Sequence, residues 1–319
     1  MASRITRDIT KYSFHDDYSE GAHPNIIEAL AQTNRSQQSG YGDDEYSEDT
    51  RQAIRDLIGT DKIIIYFAPG GTGANLLSVA SHLQPHEAVI AAESGHIVSK
   101  EGSAIEASGY KIIAAPGANG KLTLDIIQLA FGRSAEFAFQ PKAKMVFISN
   151  ATEIGTVYTK GELEAVTALC KNLRLLLLLD GARIDADLTS SKNDMSLIDI
   201  YNRTDVFWIG GTKNGALLGE AVIIKDPAEL RYHMKQRGAL LAKGRVLGIK
   251  FRTLFQDDLF FNLERSSNIV AAEISSCLLA LGYKLWAETD SNQELQKELE
   301  FFIWEHLQDG PLVVRLVAS

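Results

Sequence analysis

A lysine at the end of an apolar run is the residue of this sequence best placed to do chemistry. Lys213 follows Val206–Ile209, which predicts a buried strand, and it stands among Gly210, Gly211 and Gly215. Glycines clear space around a side chain, and burial can lower the pKa of an amine until it is a neutral nucleophile near pH 7. Such an amine suits a Schiff base with an aldehyde cofactor such as pyridoxal phosphate. The alternative is a solvated lysine in a surface loop.

A carboxylate closes the most apolar stretch of the chain. The five consecutive leucines Leu175–Leu179 precede Asp180, a run typical of a strand buried on both faces of a parallel sheet. At the dry end of such a strand Asp180 needs a cation or several donors. In a pyridoxal enzyme the cation is the protonated ring nitrogen of the cofactor. Otherwise Asp180 pairs with Arg183 or caps a helix. The presence of Lys213 at a second strand end favours the cofactor.

Three further segments supply partners for such a site. Gly70–Gly73, with the hydroxyl of Thr72, forms a glycine-rich turn that opens a helix and can cradle a phosphate, although it lacks the lysine of a Walker loop and the Rossmann spacing. His96 follows the next strand and either stacks on a cofactor ring or bonds a backbone carbonyl. Arg183 and Arg315 can clamp a substrate carboxylate, although Arg315 also fits an edge strand.

The elements that position these residues alternate along the chain. Apolar strands and amphipathic helices follow one another from Lys62 to Lys225, which predicts an α/β fold with a doubly wound, mostly parallel sheet. In such sheets ligands bind at the carboxyl ends of the strands. Beyond Pro227 the pattern is mainly helical to about Leu281. Tyr41 and the segment 17–24 lie in polar turns that either reach the site or are exposed loops.

Composition narrows the class of protein. A net charge of −9 argues against non-specific binding to nucleic acid. The two cysteines, Cys170 and Cys277, stand in helical apolar patterns and are predicted to be core residues, so neither a disulfide nor a metal framework is expected. Without a membrane-length apolar run or a secretory signal, the protein is expected to be cytoplasmic and free of membrane partners.

Seven segments together resemble a known family, the pyridoxal-phosphate-dependent threonine aldolases of the aspartate-aminotransferase fold type. They span nearly the whole chain, and Asp-Gly-Ala-Arg followed by the strand lysine is the most specific of them. The resemblance is closest to the low-specificity or allo-threonine aldolases. The segments are Asp17–Pro24, Gly40–Tyr46, Gly70–Asn75, Glu93–His96, Leu179–Arg183, Gly210–Lys213 and Lys235–Arg245.

The resemblance implies a role for each matching residue. Lys213 binds the cofactor aldehyde, Asp180 contacts the pyridine nitrogen and His96 stacks on the ring, while Arg183 and Arg315 take the substrate carboxylate. The remaining candidates are Gly71, Thr72 and Gly73 for the phosphate, Ser19 and Tyr41 for the substrate, Glu153 as a catalytic residue, and Lys243 or Arg245 at a phosphate of a neighbouring subunit.

The resemblance also implies an architecture, with three departures from the family pattern. It implies a fold type I enzyme with an arm at 1–46, a large cofactor-binding domain with a seven-stranded sheet at 47–226, and a smaller α+β domain at 227–319. It also implies a homotetramer or homodimer whose active sites are shared between subunits.

The chain departs from the family pattern at three points. Gly73 replaces a common glutamine, and Glu153 stands where some members have a catalytic histidine. The small domain is expected to be shortened, which makes the assignment of Arg315 the least secure.

The function expected from this resemblance is reversible cleavage of L-threonine or L-allo-threonine to glycine and acetaldehyde. The same cofactor also supports β-elimination, racemisation or transamination of an amino acid, so these reactions are the first alternative. The second alternative is a degenerate relative that has lost catalysis and acts as a binding partner.

Overall fold

The three-dimensional structure is a computed structural model that describes residues 16–226 and 229–283, and the backbone of three further strands within 293–317. Its strands are β1 (Ile64–Ala68), β2 (Glu87–Ala92), β3 (Lys111–Ala115), β4 (Lys142–Ser149), β5 (Leu176–Asp180), β6 (Val206–Gly210), β7 (Glu220–Ile224), β8 (Gln293–Glu294), β9 (Phe302–His306) and β10 (Leu312–Val317). Its helices up to the sixth strand are α1 (Pro24–Thr33), α2 (Glu45–Ile58), α3 (Gly71–His82), α4 (His96–Ser99), α5 (Ala104–Ala107), α6 (Leu124–Ser134), α7 (Lys160–Leu173), α8 (Ile184–Thr189) and α9 (Leu197–Arg203). Those after the seventh strand are α10 (Leu230–Gln236), α11 (Arg245–Leu254) and α12 (Leu259–Ala280).

A seven-stranded sheet organises the molecule, with the strand order β1-β7-β6-β5-β4-β2-β3. The pairs from β3 across to β6 are parallel, whereas β7 runs antiparallel to both of its neighbours, β6 and β1. The predicted mostly parallel sheet is therefore confirmed. Its parallel strands all point their carboxyl ends to one edge, where ligand sites form in this class of sheet.

The central strands read as continuous apolar runs because both of their faces are covered. In β5, Leu177 and Leu179 belong to one hydrophobic cluster and Leu178 belongs to the other. Phe207 and Trp208 divide between the same two clusters in the neighbouring strand β6. Successive side chains of a strand point to opposite faces, so one run of leucines contributes to two cores.

Several predicted boundaries moved, and one burial prediction was wrong. The strand of leucines includes Asp180 itself, which places the carboxylate on the last rung of the ladder, opposite Ser149. The helix expected after His96 is only four residues long. Cys170 is buried as predicted, but Cys277 is exposed. The apolar pattern around Cys277 belongs to α12, where Ile269, Val270 and Leu279 are exposed as well.

After the large sheet the chain is helical, and then a second, smaller antiparallel sheet follows with the order β8-β10-β9. Arg315 lies in β10, where the backbone is described and the side chain falls outside the described part of the chain. The predicted domain boundaries at 46 and 226 stay predictions. Within the described residues, no helix has both the length and the apolar character required to cross a membrane.

Candidate active site

A cavity of about 260 Å³ opens at the carboxyl ends of β4, β5 and β6. It brings together seven of the residues predicted from the sequence, although they come from widely separated positions in the chain. They are Gly71, Thr72, His96, Glu153, Asp180, Arg183 and Lys213. A larger hollow of about 640 Å³ lies around Lys121 and Tyr158. Lys121 is already paired with Glu162 there, so we place the chemistry in the smaller cavity.

Asp180 is a buried carboxylate at one end of the cavity. Its Oδ2 accepts a hydrogen bond from Asn75 Nδ2 at 2.8 Å, and its Oδ1 accepts from the backbone N–H of Ala182 at 2.9 Å. Burial raises the pKa of Asp180, while the bond from Asn75 and the nearby His96 act in the opposite direction. Further stabilisation of its ionised form requires a cation at the cavity side.

Lys213 stands in the turn between β6 and β7, half-buried at the cavity wall. The turn is held by Glu220, which accepts hydrogen bonds from Gly211 N at 3.0 Å and from Thr212 Oγ1 at 2.7 Å. Burial raises the pKa of Glu220 to about 7, against the effect of the charge on Lys213. A Cβ at position 211 would lie 2.8 Å from the carbonyl oxygen of Gly219, so only glycine fits there.

The glycine-rich turn ends in the exposed N-terminus of α3. Gly70 is the N-cap and provides no side-chain hydrogen bond, and the first turn of the helix contains no acidic residue. A Cβ at position 71 would come within 3.1 Å of the Trp208 ring, whereas one at position 73 would meet nothing within 4 Å. The first N–H groups of α3 and the hydroxyl of Thr72 are therefore available to an anion in the cavity.

His96 begins α4 with both its main chain and its ring engaged by carboxylates. Its N–H donates to Glu153 Oε1 at 2.8 Å, and its Nδ1 lies 2.8 Å from Glu101 Oε1. The His96 side chain is 38% exposed and lines the cavity, while that of Glu101 is fully buried. Glu153 also accepts from Ser149 Oγ at 2.6 Å, and burial raises the pKa of Glu153.

Arg183 lines the cavity and already holds one carboxylate. Its Nε and Nη2 donate to the two oxygens of Asp17 at 2.5 and 3.0 Å, and both side chains are buried. Burial alone would lower the pKa of Arg183, but the charge of Asp17, its hydrogen bonds to Arg183 and the nearby Glu264 and Glu153 together raise the pKa. Behind this pair, burial raises the pKa of Asp185 to about 7 and that of Glu264 well above its usual range.

Five predicted residues do not line the cavity of their own chain: Ser19, Tyr41, Gly73, Lys243 and Arg245. Arg245 donates from Nη1 to the carbonyl oxygen of Ser36 at 2.6 Å. Ser19 Oγ donates to Asp16 at 2.6 Å in an exposed turn, and the neighbouring Tyr18 lines the cavity instead. Tyr41 is 44% exposed, and its N–H donates to the carbonyl oxygen of Ala242 at 3.3 Å. Lys243 is exposed beside it. The two turns that carry Tyr41 and Lys243 are thus one surface feature.

Sequence reasoning missed nine of the sixteen residues that line the cavity, and four of these nine are buried Asn, Glu or Trp side chains. Asn75 closes the glycine-rich motif, and it accepts from Trp208 Nε1 at 2.9 Å while donating to Asp180. Glu101 lies five positions after His96, within reach of the ring across one short helix. Glu220 opens β7. Asn75 and Trp208 lie inside predicted segments, whereas Glu101 and Glu220 follow His96 and Lys213 by five and seven positions, so proximity in sequence was only a weak signal. All four side chains are buried: Asn75, Glu101, Trp208 and Glu220.

The chain is similar to known enzymes over most of its length. The sequence profile of the beta-eliminating lyase family matches residues 16–300. A low specificity L-threonine aldolase of Pseudomonas aeruginosa is 36% identical over 270 residues, which are 82% of this chain and 76% of that protein. A Leishmania major threonine aldolase structure superposes with a TM-score of 0.93 at 41% identity, covering 97% of this chain and 94% of that chain.

The chain belongs to the beta-eliminating lyase family. Its fold is that of the aspartate aminotransferases: a Thermus thermophilus aspartate aminotransferase, only 14% identical, superposes with a TM-score of 0.68 over 87% of this chain and 74% of that one. The predicted fold type I is therefore confirmed. Two relatives with more than a third of the aligned residues identical, at 36% and 41%, are threonine aldolases, which confirms the resemblance found in the motifs.

Proposed function

We propose that this protein is a pyridoxal-phosphate-dependent carbon–carbon lyase that cleaves L-threonine and L-allo-threonine to glycine and acetaldehyde. The observation that carries the proposal is the position of Lys213 and Asp180 in the wall of one cavity. The 41% sequence identity to the Leishmania major threonine aldolase also supports the proposal.

The residues present fit pyridoxal phosphate. Asp180 is a buried carboxylate whose raised pKa reflects the need for a cation, and the protonated pyridine nitrogen is such a cation. The uncapped N-terminus of α3 and Thr72 provide N–H and O–H donors for a phosphate. Lys213 is the primary amine for the aldehyde. Lysine, aspartate and an anion cradle therefore surround one cavity, which is the donor set that this cofactor needs.

When bound, pyridoxal phosphate supplies an electron sink for the electron pair released at the substrate Cα. The protein residues decide which bond breaks. Arg183, held by Asp17, binds the substrate carboxylate and fixes the rotation about the bond from nitrogen to Cα. By fixing this rotation, Arg183 would select the bond from Cα to Cβ as the one that is cleaved.

A base must take the proton of the β-hydroxyl as the carbon–carbon bond breaks. We assign this role to His96, whose ring is partly exposed in the cavity. Glu153 is the less suitable base, because its Oε1 already accepts from Ser149 Oγ and from His96 N. The hydroxyl proton goes to His96, the aldehyde leaves, and a proton returned to Cα gives glycine.

We also propose that the active form is a homodimer or homotetramer in the cytoplasm. The exposed turns that carry Tyr41 and Lys243 lie outside the cavity of their own chain. Their hydroxyl and ammonium groups could instead contact the phosphate or substrate in the active site of a second copy of the chain. The ring of Tyr41 lies 4.7 Å from Lys235 Nζ, which keeps a second positive charge nearby.

Acetaldehyde release from L-threonine and from L-allo-threonine, with and without added pyridoxal phosphate, tests the proposal. We expect cofactor-dependent release from at least one of the two substrates. A second candidate function, β-elimination, is favoured by the match to the family profile. Pyruvate formation from L-serine without acetaldehyde formation from either threonine would replace the aldolase proposal with that reaction.

A further inference from the structure

Glu101 is a buried carboxylate at the back of His96 for which the proposed reaction has no role yet. Its side chain is fully buried, and its Oε1 lies 2.8 Å from His96 Nδ1 and 2.8 Å from Asn75 Nδ2. The other oxygen, Oε2, is buried without a hydrogen-bond partner in the described structure. Burying a carboxylate costs free energy unless hydrogen bonds or a charge from its neighbours offset the loss of water.

The contacts of Glu101 determine where the hydrogen of the His96 ring lies. The amide nitrogen of Asn75 can only donate, so Glu101 Oε1 accepts from it. An oxygen that already accepts one hydrogen bond and carries no proton can only accept from the imidazole as well. The 2.8 Å contact therefore requires hydrogen on His96 Nδ1 and leaves Nε2 as the ring nitrogen able to take a proton.

Asn75 connects Glu101 to Asp180, the other buried carboxylate of the cavity. One amide group donates to both Glu101 and Asp180 at 2.8 Å, and its oxygen accepts from Trp208 Nε1 at 2.9 Å. Each polar atom of this amide is therefore used, which fixes its orientation. Glu101 is thus held from behind by a side chain that is itself locked, and it cannot turn away from His96 without breaking this network.

We propose that Glu101 is a positioning residue that holds His96 with its hydrogen on Nδ1, so that Nε2 is presented as the base for the substrate hydroxyl. The part concerning the substrate hydroxyl depends on the proposed aldolase function, whereas the part concerning the ring hydrogen does not. A carboxylate that orients an imidazole in this way also stabilises the imidazolium formed when the base takes its proton. The cost of removing such an outer partner is about 10- to 100-fold in activity.

The test combines kinetics with a direct measurement of the ring hydrogen. Wild-type protein and Glu101→Gln are labelled with ¹⁵N and ¹³C at histidine, and solid-state NMR identifies which nitrogen of His96 carries hydrogen. His96→Asn assigns the signals by deleting them. The spectra are recorded with and without pyridoxal phosphate, so one measurement is independent of turnover. Glu106→Gln, an exposed carboxylate five residues further on, is the matched control.

We expect hydrogen on His96 Nδ1 in the wild type and in Glu106→Gln. In Glu101→Gln the amide oxygen can still accept from both neighbours, so we expect the same tautomer and a lower kcat from the lost charge. In Glu101→Leu, labelled in the same way, no acceptor is left, and we expect a shift of the hydrogen to Nε2, together with a fall in kcat of about 10- to 100-fold and little change in KM. Glu101→Asp keeps the charge and should recover part of both the tautomer and the rate. A circular dichroism spectrum confirms that each variant is folded.

Three results would overturn the inference. They are a wild-type His96 with hydrogen on Nε2, a Glu101→Leu variant with unchanged tautomer and rate, and a Glu101→Leu variant whose rate falls while its tautomer stays as in the wild type. The first requires no variant at all, so the inference stays testable if Glu101→Leu fails to fold. If the wild type cleaves neither threonine, the aldolase proposal fails, and the tautomer measurement still decides the role of Glu101.

Discussion

Two lysines, Lys213 and Lys250, both act on the buried carboxylate of Glu220, but only Lys213 lines the candidate active site. Lys213 lies in the turn after β6 and lines the cavity that contains Asp180. Lys250 lies in α11, is fully buried, and donates from Nζ to the carbonyl oxygen of Leu218 at 2.5 Å. Burial lowers the pKa of Lys250 to about 7, and Glu220 acts in the opposite direction. Burial therefore produces an amine of low pKa without producing a reactive site.

The comparison shows that access and neighbours decide the chemistry of an amine in this fold. Lys213 lines an open cavity, and it follows glycines at positions 210 and 211, where a Cβ would lie 2.5 Å and 2.8 Å from backbone oxygens. It also shares its cavity with a carboxylate and a helix N-terminus. Lys250 has a backbone carbonyl and packed side chains instead, so we assign it a structural role.

The most direct test of this difference is to replace Lys213 and Lys250 in turn. We expect Lys213→Ala to lower kcat by roughly 10³-fold or more, because no other amine in the cavity wall can bind the cofactor aldehyde. Lys250→Met keeps the volume and should retain most of the activity. After borohydride reduction, mass spectrometry should find the cofactor on residue 213 in Lys250→Met. An adduct on residue 250 in either protein would contradict the assignment.

A second prediction concerns the carboxylate that the Lys213 site has and the Lys250 site lacks. Asp180→Asn keeps the shape of the side chain but loses the charge that holds the pyridine nitrogen protonated, so kcat should fall roughly 100-fold or more while the cofactor remains bound. Asp199 in α9 lies outside the cavity with its side chain 20% exposed, so Asp199→Asn is a control that should leave kcat unchanged. Cofactor absorbance and kcat are measured together. An unchanged kcat in Asp180→Asn would remove the electron-sink argument.

The third prediction uses pH to separate Glu220 from Lys250 in protein freed of cofactor. Burial raises the pKa of Glu220 from 4.5 to about 7, so between these values the native state binds more protons than the unfolded state, and stability falls as pH rises. The loss amounts to about 3 kcal/mol, since one pKa unit is worth about 1.4 kcal/mol. For Lys250, whose pKa is lowered from 10.5 to about 7, stability rises again across that higher range.

Urea unfolding at a series of pH values checks this prediction. Glu220→Gln should flatten the descending part of the profile, and Lys250→Met should flatten the rising part. Buried Asp185 and Glu264 also have raised pKa values, so the difference between wild type and variant is the quantity to compare. A Glu220→Gln profile with the wild-type slope between pH 4.5 and 7 would contradict the burial argument.

The smallest expected effect concerns the third buried cation, Arg183. Arg183→Lys keeps the charge but loses the planar fork, so we expect KM for threonine to rise about 10-fold with a smaller change in kcat. Arg203→Lys, in a surface ion pair with Glu164, is the matched control and should leave KM unchanged. Steady-state kinetics on both variants decide the matter. Equal KM values in wild type and Arg183→Lys would exclude Arg183 from the carboxylate site.

Local pattern was enough to predict the framework and half of the site. The leucine run located β5 and Asp180, and the glycines located Lys213 and the N-terminus of α3, because each signal lies within a few residues of what it predicts. Long-range contacts were not accessible in this way. Asp17 and Arg183 are 166 positions apart, and Asn75 and Asp180 are 105 apart. Residue spacing in the sequence therefore gives no sign that either pair is in contact. Glu101 lies close to His96, but its direction depends on the turn between α4 and α5.

The contact between Asp17 and Arg183 also has a practical consequence for anyone preparing shorter versions of this polypeptide. Removal of the first 20 residues would leave a guanidinium in the interior with its main counter-charge deleted, and losing one member of a buried pair costs about 3–5 kcal/mol. Trimming from the front should therefore stop before residue 16, and an affinity tag placed there needs a spacer that leaves this carboxylate in place.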